Sequence, residues 1–185
     1  MRRIALLAGV LVLAGCGGGS KPATTTSTST KPVPPKPAGA MRTFIAASKP
    51  AFAGGNVKTL YQGTSWSVVQ VTKGGKALAE AFELLGNQWK PDTSGTVKVE
   101  ILGPQPNAKV TKKPQVAIQI TSPAPFVESA IWVDGTEVLE KGGGTPTRGT
   151  IYGAPAKNLA PGAHVAVGYA RTATTGTAVA WIFHV

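Results

Sequence analysis

The chain has 185 residues, enough for one ordinary domain or two small ones and too few for a large multi-domain enzyme. Gly (23) and Pro (15) are abundant, charged residues make up only 15%, and 19 Lys+Arg against 8 Asp+Glu give a formal net charge of +11. A single Cys excludes a disulfide framework and a Cys-based zinc site, while 42% hydrophobic residues exclude a wholly disordered chain.

Arg2 and Arg3 precede an apolar run from Ile4 to Leu13. The run is about half the ~20 residues that a membrane-spanning helix needs, so it reads as a signal peptide. It closes on Leu13-Ala14-Gly15-Cys16, with the chain's only Cys at the end. This segment resembles the lipobox of bacterial lipoproteins. The resemblance implies a signal peptide over residues 1–15, cleavage before Cys16, and a diacylglyceryl group on the Cys16 sulfur. It further implies an extracytoplasmic protein, lipid-anchored to a bacterial membrane, whose first partner is the bilayer itself. At about 0.8 kcal/mol per buried CH₂, two or more acyl chains hold firmly where one holds weakly.

Residues 16–40 are rich in Gly, Thr and Pro and offer almost nothing large and apolar to bury, so they are expected to form a disordered tether. Beyond it, residues 41–185 carry 14 Lys+Arg and all 8 acids, a net +6, with the lysines scattered. No aromatic RNA-binding pattern or Arg-rich helix is present, so no nucleic-acid partner is expected.

Residues 41–95 read as a small β-rich module. Ser65–Thr72 is Val-rich and followed by the Gly74-Gly75 turn signal. Residues 76–85 fit either a helix stripe or a strand, and the surrounding short strands and Gly turns favour the strand. Trp66 and Trp89 are expected in this module's core.

Residues 96–185 alternate clearly. Val97, Val99 and Ile101 form one apolar row, Val116, Ile118 and Ile120 the next, then Val127, Ile131 and Val133. Asp134-Gly135 between alternating runs is a strong hairpin signal. Val165, Val167 and Tyr169 give another inward row, and Val179, Trp181, Phe183 and Val185 the last. Short strands separated by Gly/Pro loops over this length indicate a β-sandwich. The segment resembles bacterial immunoglobulin-like domains in Ile101-Leu102-Gly103-Pro104, in Leu159-Ala160-Pro161-Gly162-Ala163-His164, and in the closing Ala180-Trp181-Ile182-Phe183-His184-Val185. The expected fold is therefore all-β: an Ig-like β-sandwich preceded by a small β-rich module and the tether. Such domains act as spacers, adhesion modules and accessory domains, which implies no single activity.

No G-x-S-x-G or SxxK context is present, and the acids lie at turn-like or solvent-face positions, so no catalytic residue, cofactor or metal is expected. Two pairs of side chains stand out. A hairpin loop at Thr172–Gly176 would place Val165 opposite Phe183, Val167 opposite Trp181, and His164 opposite His184. Two facing imidazoles could chelate a metal or respond to pH near 6, but two exposed polar residues on the solvent face is the favoured reading, and the pair stands as a prediction about register rather than as a metal site. Trp132, flanked by inward Ile131 and Val133, would face outward beside Glu137 as a sugar-stacking pair. Against this, Trp132 can pack under the first module or serve as a buried sandwich Trp, and that reading is favoured. Trp181 belongs to the core. The expected function is a membrane-anchored, non-catalytic binding or scaffolding module, its partner an envelope protein. The alternatives are a carbohydrate- or cell-wall-binding module using Trp132 and, behind it, an envelope enzyme.

Overall fold

The computed structural model describes residues 35–185. The expected signal peptide, Cys16 and the expected tether up to residue 34 lie outside the described residues. The described chain runs through one α-helix, α1 (Pro37–Ser48), a 3-10 turn (Pro50–Phe52) and twelve strands. Strands β1 (Asn56–Gln62), β2 (Trp66–Lys73), β3 (Lys76–Leu85) and β4 (Gln88–Pro91) form a first antiparallel sheet in the order β1-β2-β3-β4. The remaining strands are β5 (Lys98–Gly103), β6 (Val116–Thr121), β7 (Glu128–Val133), β8 (Thr136–Glu137), β9 (Leu139–Thr145), β10 (Arg148–Ala154), β11 (Ala163–Arg171) and β12 (Gly176–His184). They build a second sheet, β5-β6-β10-β9, and a third, β12-β11-β7-β8. Apart from α1 and the 3-10 turn, the described residues are all-β, and residues 76–85 are the strand that the Gly turns around them favour.

The second and third sheets make the sandwich. Val116, Ile118 and Ile120 of β6 meet Ile131 and Val133 of β7 and Trp181 and Phe183 of β12. Alternation on each strand supplies these rows, as a two-residue side-chain period requires. Gly168 of β11 lies between the layers, where an added Cβ would come within 2.9 Å of Ile118 Cδ1 and 3.4 Å of Val99 Cγ1. Overpacking of this kind costs about 1–3 kcal/mol. Gly168→Val is accordingly expected to lower the unfolding free energy measured by urea denaturation by that amount, and an unchanged value would show that the layers can part freely there.

The first sheet is stacked on the outer face of the third. Trp66, Val68, Ala79 and Ala81 meet Ala130, Trp132, Val167 and Tyr169, with Ala178 and Ala180 alongside. Alanines on both sides allow the two sheets to approach closely. On the far face of the first sheet, Val69, Val71, Phe82 and Trp89 are covered by Met41 and Ile45 of α1. The result is four layers: helix, first sheet, third sheet, second sheet. β2 therefore buries both faces, from Trp66 through Val71. Of the two expected module Trp residues, Trp89 lies under α1 and Trp66 in the seam between sheets.

Polar contacts at the rim lock this seam. Arg171 Nε donates to Glu128 Oε2 at 2.6 Å, and the Tyr169 hydroxyl donates to the same oxygen at 3.4 Å. The Arg171 guanidinium lies 5.9 Å from the Trp66 ring centre, a cation–π distance. Asp92 accepts the Gly176 N–H at 2.6 Å, tying the end of the first sheet to the β11–β12 loop. Asp92, assigned from sequence to a turn or solvent face, thus joins the layers, while Glu128, assigned likewise, holds Arg171 of its own sheet against Trp66.

Several expectations are corrected. α1 was not among the expected elements and begins at Pro37, inside the 16–40 tether stretch; Pro37 sits in its first turn, and Met41 and Ile45 face the sheet four residues apart. Val127 is 57% exposed and leaves the inward row assigned to it. Val167 and Tyr169 face the first sheet rather than the sandwich core.

Candidate functional site

The His164–His184 pair does not form. β11 and β12 pair Ala163 with His184, His164 with Phe183 and Val165 with Ile182. The loop is four residues, Thr172–Thr175, because the Thr172 N–H donates to the Thr175 carbonyl and the Thr172 hydroxyl accepts the Thr174 and Thr175 N–H groups. Gly176 then joins the ladder opposite Arg171. That shift of one residue exchanges every side chain between faces.

His164 turns inward and stacks on Phe183, ring centres 5.7 Å apart. Its Nδ1 lies 2.7 Å from Asp134 Oδ2 and its Nε2 2.7 Å from the Ala160 carbonyl oxygen. Both partners are acceptors, so the imidazolium, with two N–H groups, satisfies both. Burial alone would lower the His164 pKa, but the hydrogen bonds to Asp134 and Ala160 and the Asp134 charge outweigh it and raise the pKa above its usual value.

Asp134 and Gly135 form the expected two-residue turn, with φ of 52° and 76° and Trp132 opposite Glu137. Asp134 does more than turn the chain. Its Oδ1 accepts the Val165 N–H at 3.0 Å, and its carbonyl accepts Lys58 Nζ at 3.1 Å from β1. The hairpin tip is thereby fixed to β11 and to the first sheet.

Trp132 is buried, 4% exposed, with its ring 6.2 Å from that of Tyr169. The sugar-stacking pair with Glu137 is therefore overturned. The outward face of β7 is real, but the first sheet covers it, as in the reading that places Trp132 under the first module. Glu137 itself is exposed and lines a cleft of about 390 Å³. One wall of that cleft is the β7–β8 hairpin (Asp134, Thr136, Glu137), and the other is the loop after β10, with Lys157, Asn158 and Leu159. A second cleft of about 410 Å³ adjoins it, lined by Lys113, Gln115 and Tyr152. Both include Pro155 and Ala156, so the two clefts read as lobes of one groove.

Tyr152 is 36% exposed and supplies the aromatic surface that Trp132 does not. It stands on β10, whose inward residues Gly149, Ile151 and Gly153 are buried and whose intervening side chains face out. Among the described residues, the outer face of the second sheet, unlike both faces of the first and third, carries no other layer. His164 lies behind the groove, bonded to Asp134 in one wall and to Ala160, next to Leu159 in the other. Tyr152 is hard to find in the sequence because this Gly-rich stretch hardly reads as a strand; Ile151 flanked by Thr150 and Tyr152 is the available signal. Among the described residues, no group of three or more His, Cys, Asp or Glu is placed to hold a metal ion.

No family model, curated protein or solved structure matches the chain.

Proposed function

We propose that this chain is a cell-envelope lipoprotein, anchored to the membrane through acylated Cys16, whose folded part works by binding rather than catalysis. The folded part presents the Tyr152–Glu137 groove to a partner in the envelope. For the anchor, the support is the Leu13-Ala14-Gly15-Cys16 run, with the only Cys of the chain at the position that lipidation uses. An Ig-like origin of the sandwich accords with this setting.

The observation that carries the binding reading is the distribution of covered and uncovered surface. Among the described residues both faces of the first and third sheets are covered, and of the exposed large apolar side chains, Leu85, Leu102, Val127 and Tyr152, it is Tyr152 that lines a groove together with Lys, Gln, Asn and Glu side chains. Its carboxylates are not a catalytic pair, since Asp134 is engaged by His164 and the Val165 N–H and only Glu137 is left to face a ligand. A site of one free carboxylate, two amides and an aromatic ring on an apolar floor orients a ligand.

Metabolic labelling with a radioactive fatty acid tests the anchor. The parent chain is expected to carry label and to sediment with membranes, while Cys16→Ala loses both. Label or sedimentation unchanged in the variant would overturn the lipoprotein reading.

A further inference from the structure

Building on the reading of the groove as the binding surface, we propose that its ligand is a glycan strand bearing carboxylate substituents, with one sugar ring stacked on Tyr152 and carboxylates held by Lys113 and Lys157. Each lobe falls within the size range of small-molecule sites, about 300–1,000 Å³. The exposed phenol ring offers the flat, amphipathic surface that the C–H face of a sugar covers. Gln115 and Asn158 add amides that can both donate to and accept from hydroxyl groups.

Two features favour a glycan over an extended peptide, and an anionic one over a neutral one. Peptides that bind by adding a strand need a free backbone edge. Across Tyr152–Ala154, β10 is paired with β9, and Tyr152 and Gly153 are paired with β6 as well, so the ladder here is already used on both sides. At the Tyr152 lobe recognition must then come from side chains, and the edge strand in the other wall, β8, is only two residues long, which suits a ligand rich in hydroxyls better than an added strand. As for charge, Asp134 is spent on His164 and the Val165 N–H. That leaves Glu137 against Lys113 and Lys157, neither of which is ion-paired among the described residues. Two lysines therefore face the groove against one carboxylate left free to meet a ligand, and a carboxylate-bearing ligand would pair with them.

The test titrates the full chain, held in detergent micelles, with two probes. These are amino-sugar strands carrying lactyl carboxylates, stripped of peptide, and neutral chitohexaose. Amide NMR shifts report both affinity and place. The carboxylated strand is expected to bind more tightly, with shifts centred on Tyr152, Asn158 and Lys157. Tyr152→Ala should weaken both probes by about tenfold, the upper end for one aromatic contact. Lys113→Gln with Lys157→Gln should abolish the preference between them. All three side chains lie on the surface, and an unchanged melting curve confirms that the variants fold. The inference is overturned if neither probe binds, if Tyr152→Ala binds as the parent does, or if the double variant keeps the preference. A ten-residue polyglutamate peptide separates the two readings. If it binds in the groove and the glycans do not, the glycan inference fails and the anchored binder stands. If no probe shifts groove amides, both fail.

Discussion

Replacing Trp132 by alanine is expected to cost about 3–5 kcal/mol, the range for removing a large buried aromatic side chain. The ring is 4% exposed and packed at the centre of the seam between the first and third sheets, with Tyr169 beside it and alanines around it. Backbone atoms of alanine-lined strands cannot collapse far into the space, so most of the cavity would persist. For a domain of this size, each kcal/mol corresponds to roughly 2–4 °C in melting temperature, so a fall of roughly 6–20 °C should appear in a thermal scan. The same variant distinguishes two roles for the residue. If Trp132 served a ligand, groove binding would be lost at temperatures where the variant is still folded. If it acts only as a structural wedge, binding would survive until the fold melts. A shift of about 1 °C or less would show that Trp132 does not hold the layers together.

The fate of Trp132 shows how far the sequence could be read. Alternation placed Ile131 and Val133 in the sandwich core and Trp132 on the opposite face, and the structure agrees on both. What alternation does not say is whether the opposite face meets water or another layer. β11 raises the same difficulty, since Val165, Val167 and Tyr169 form an apolar row that belongs to the seam, while Ala166, Gly168 and Ala170 face the sandwich core. A strand buried on both sides has no polar face to announce itself. Small residues opposite large ones then make the large row look like the only inward one.

The histidine register failed for a different reason. Whether a Thr-rich loop takes four residues or five is decided by the Thr172 hydroxyl accepting two backbone N–H groups, a local choice with no hydrophobic signature. The aromatic surface of the groove was missed because Arg148–Ala154 contains two glycines and one buried Ile, too little alternation to mark a strand. The Asp134-Gly135 turn was legible because only residues tolerant of positive φ fit both its positions. Its carboxylate reaching across to His164 was not, because that contact depends on how the hairpin tip docks on β11.

Stability is expected to fall as pH rises from about 4.5 through neutrality, the reverse of a protein held by salt-bridged carboxylates. Glu80 sits on β3 between Leu78 and Phe82, on the face that α1 covers. Burial pushes its pKa up to about 7, against smaller opposing effects from the Ala81 N–H and Lys49, with Asp92 raising it further. The unfolded chain loses this proton near 4.5 while the folded chain keeps it, so folded stability declines between those values and levels off above about 7. At 1.36 kcal/mol per pKa unit, the decline from this one group is about 3 kcal/mol. His164 adds to it in the same direction. Its folded pKa is raised, so its contribution is complete below the unfolded value near 6.5 and disappears as pH passes through the folded value. Two variants separate the two groups by urea denaturation at pH 4, 6 and 8. Glu80→Gln, a neutral isostere, should match the parent at pH 4 and exceed it at pH 8. His164→Gln should be weaker than the parent at pH 4 and 6, by about 1.5–3 kcal/mol for hydrogen bonds to a charged group, toward the lower figure because Asp134 is half exposed. Its deficit should narrow toward higher pH, as rising pH passes through the raised folded value and the parent imidazolium loses its proton. A Glu80→Gln chain no more stable than the parent at pH 8 would show that the carboxylate ionises freely beneath α1. A His164→Gln deficit undiminished toward higher pH would mean that His164 holds the hairpin to the Ala160 loop by packing on Phe183 rather than by its charge.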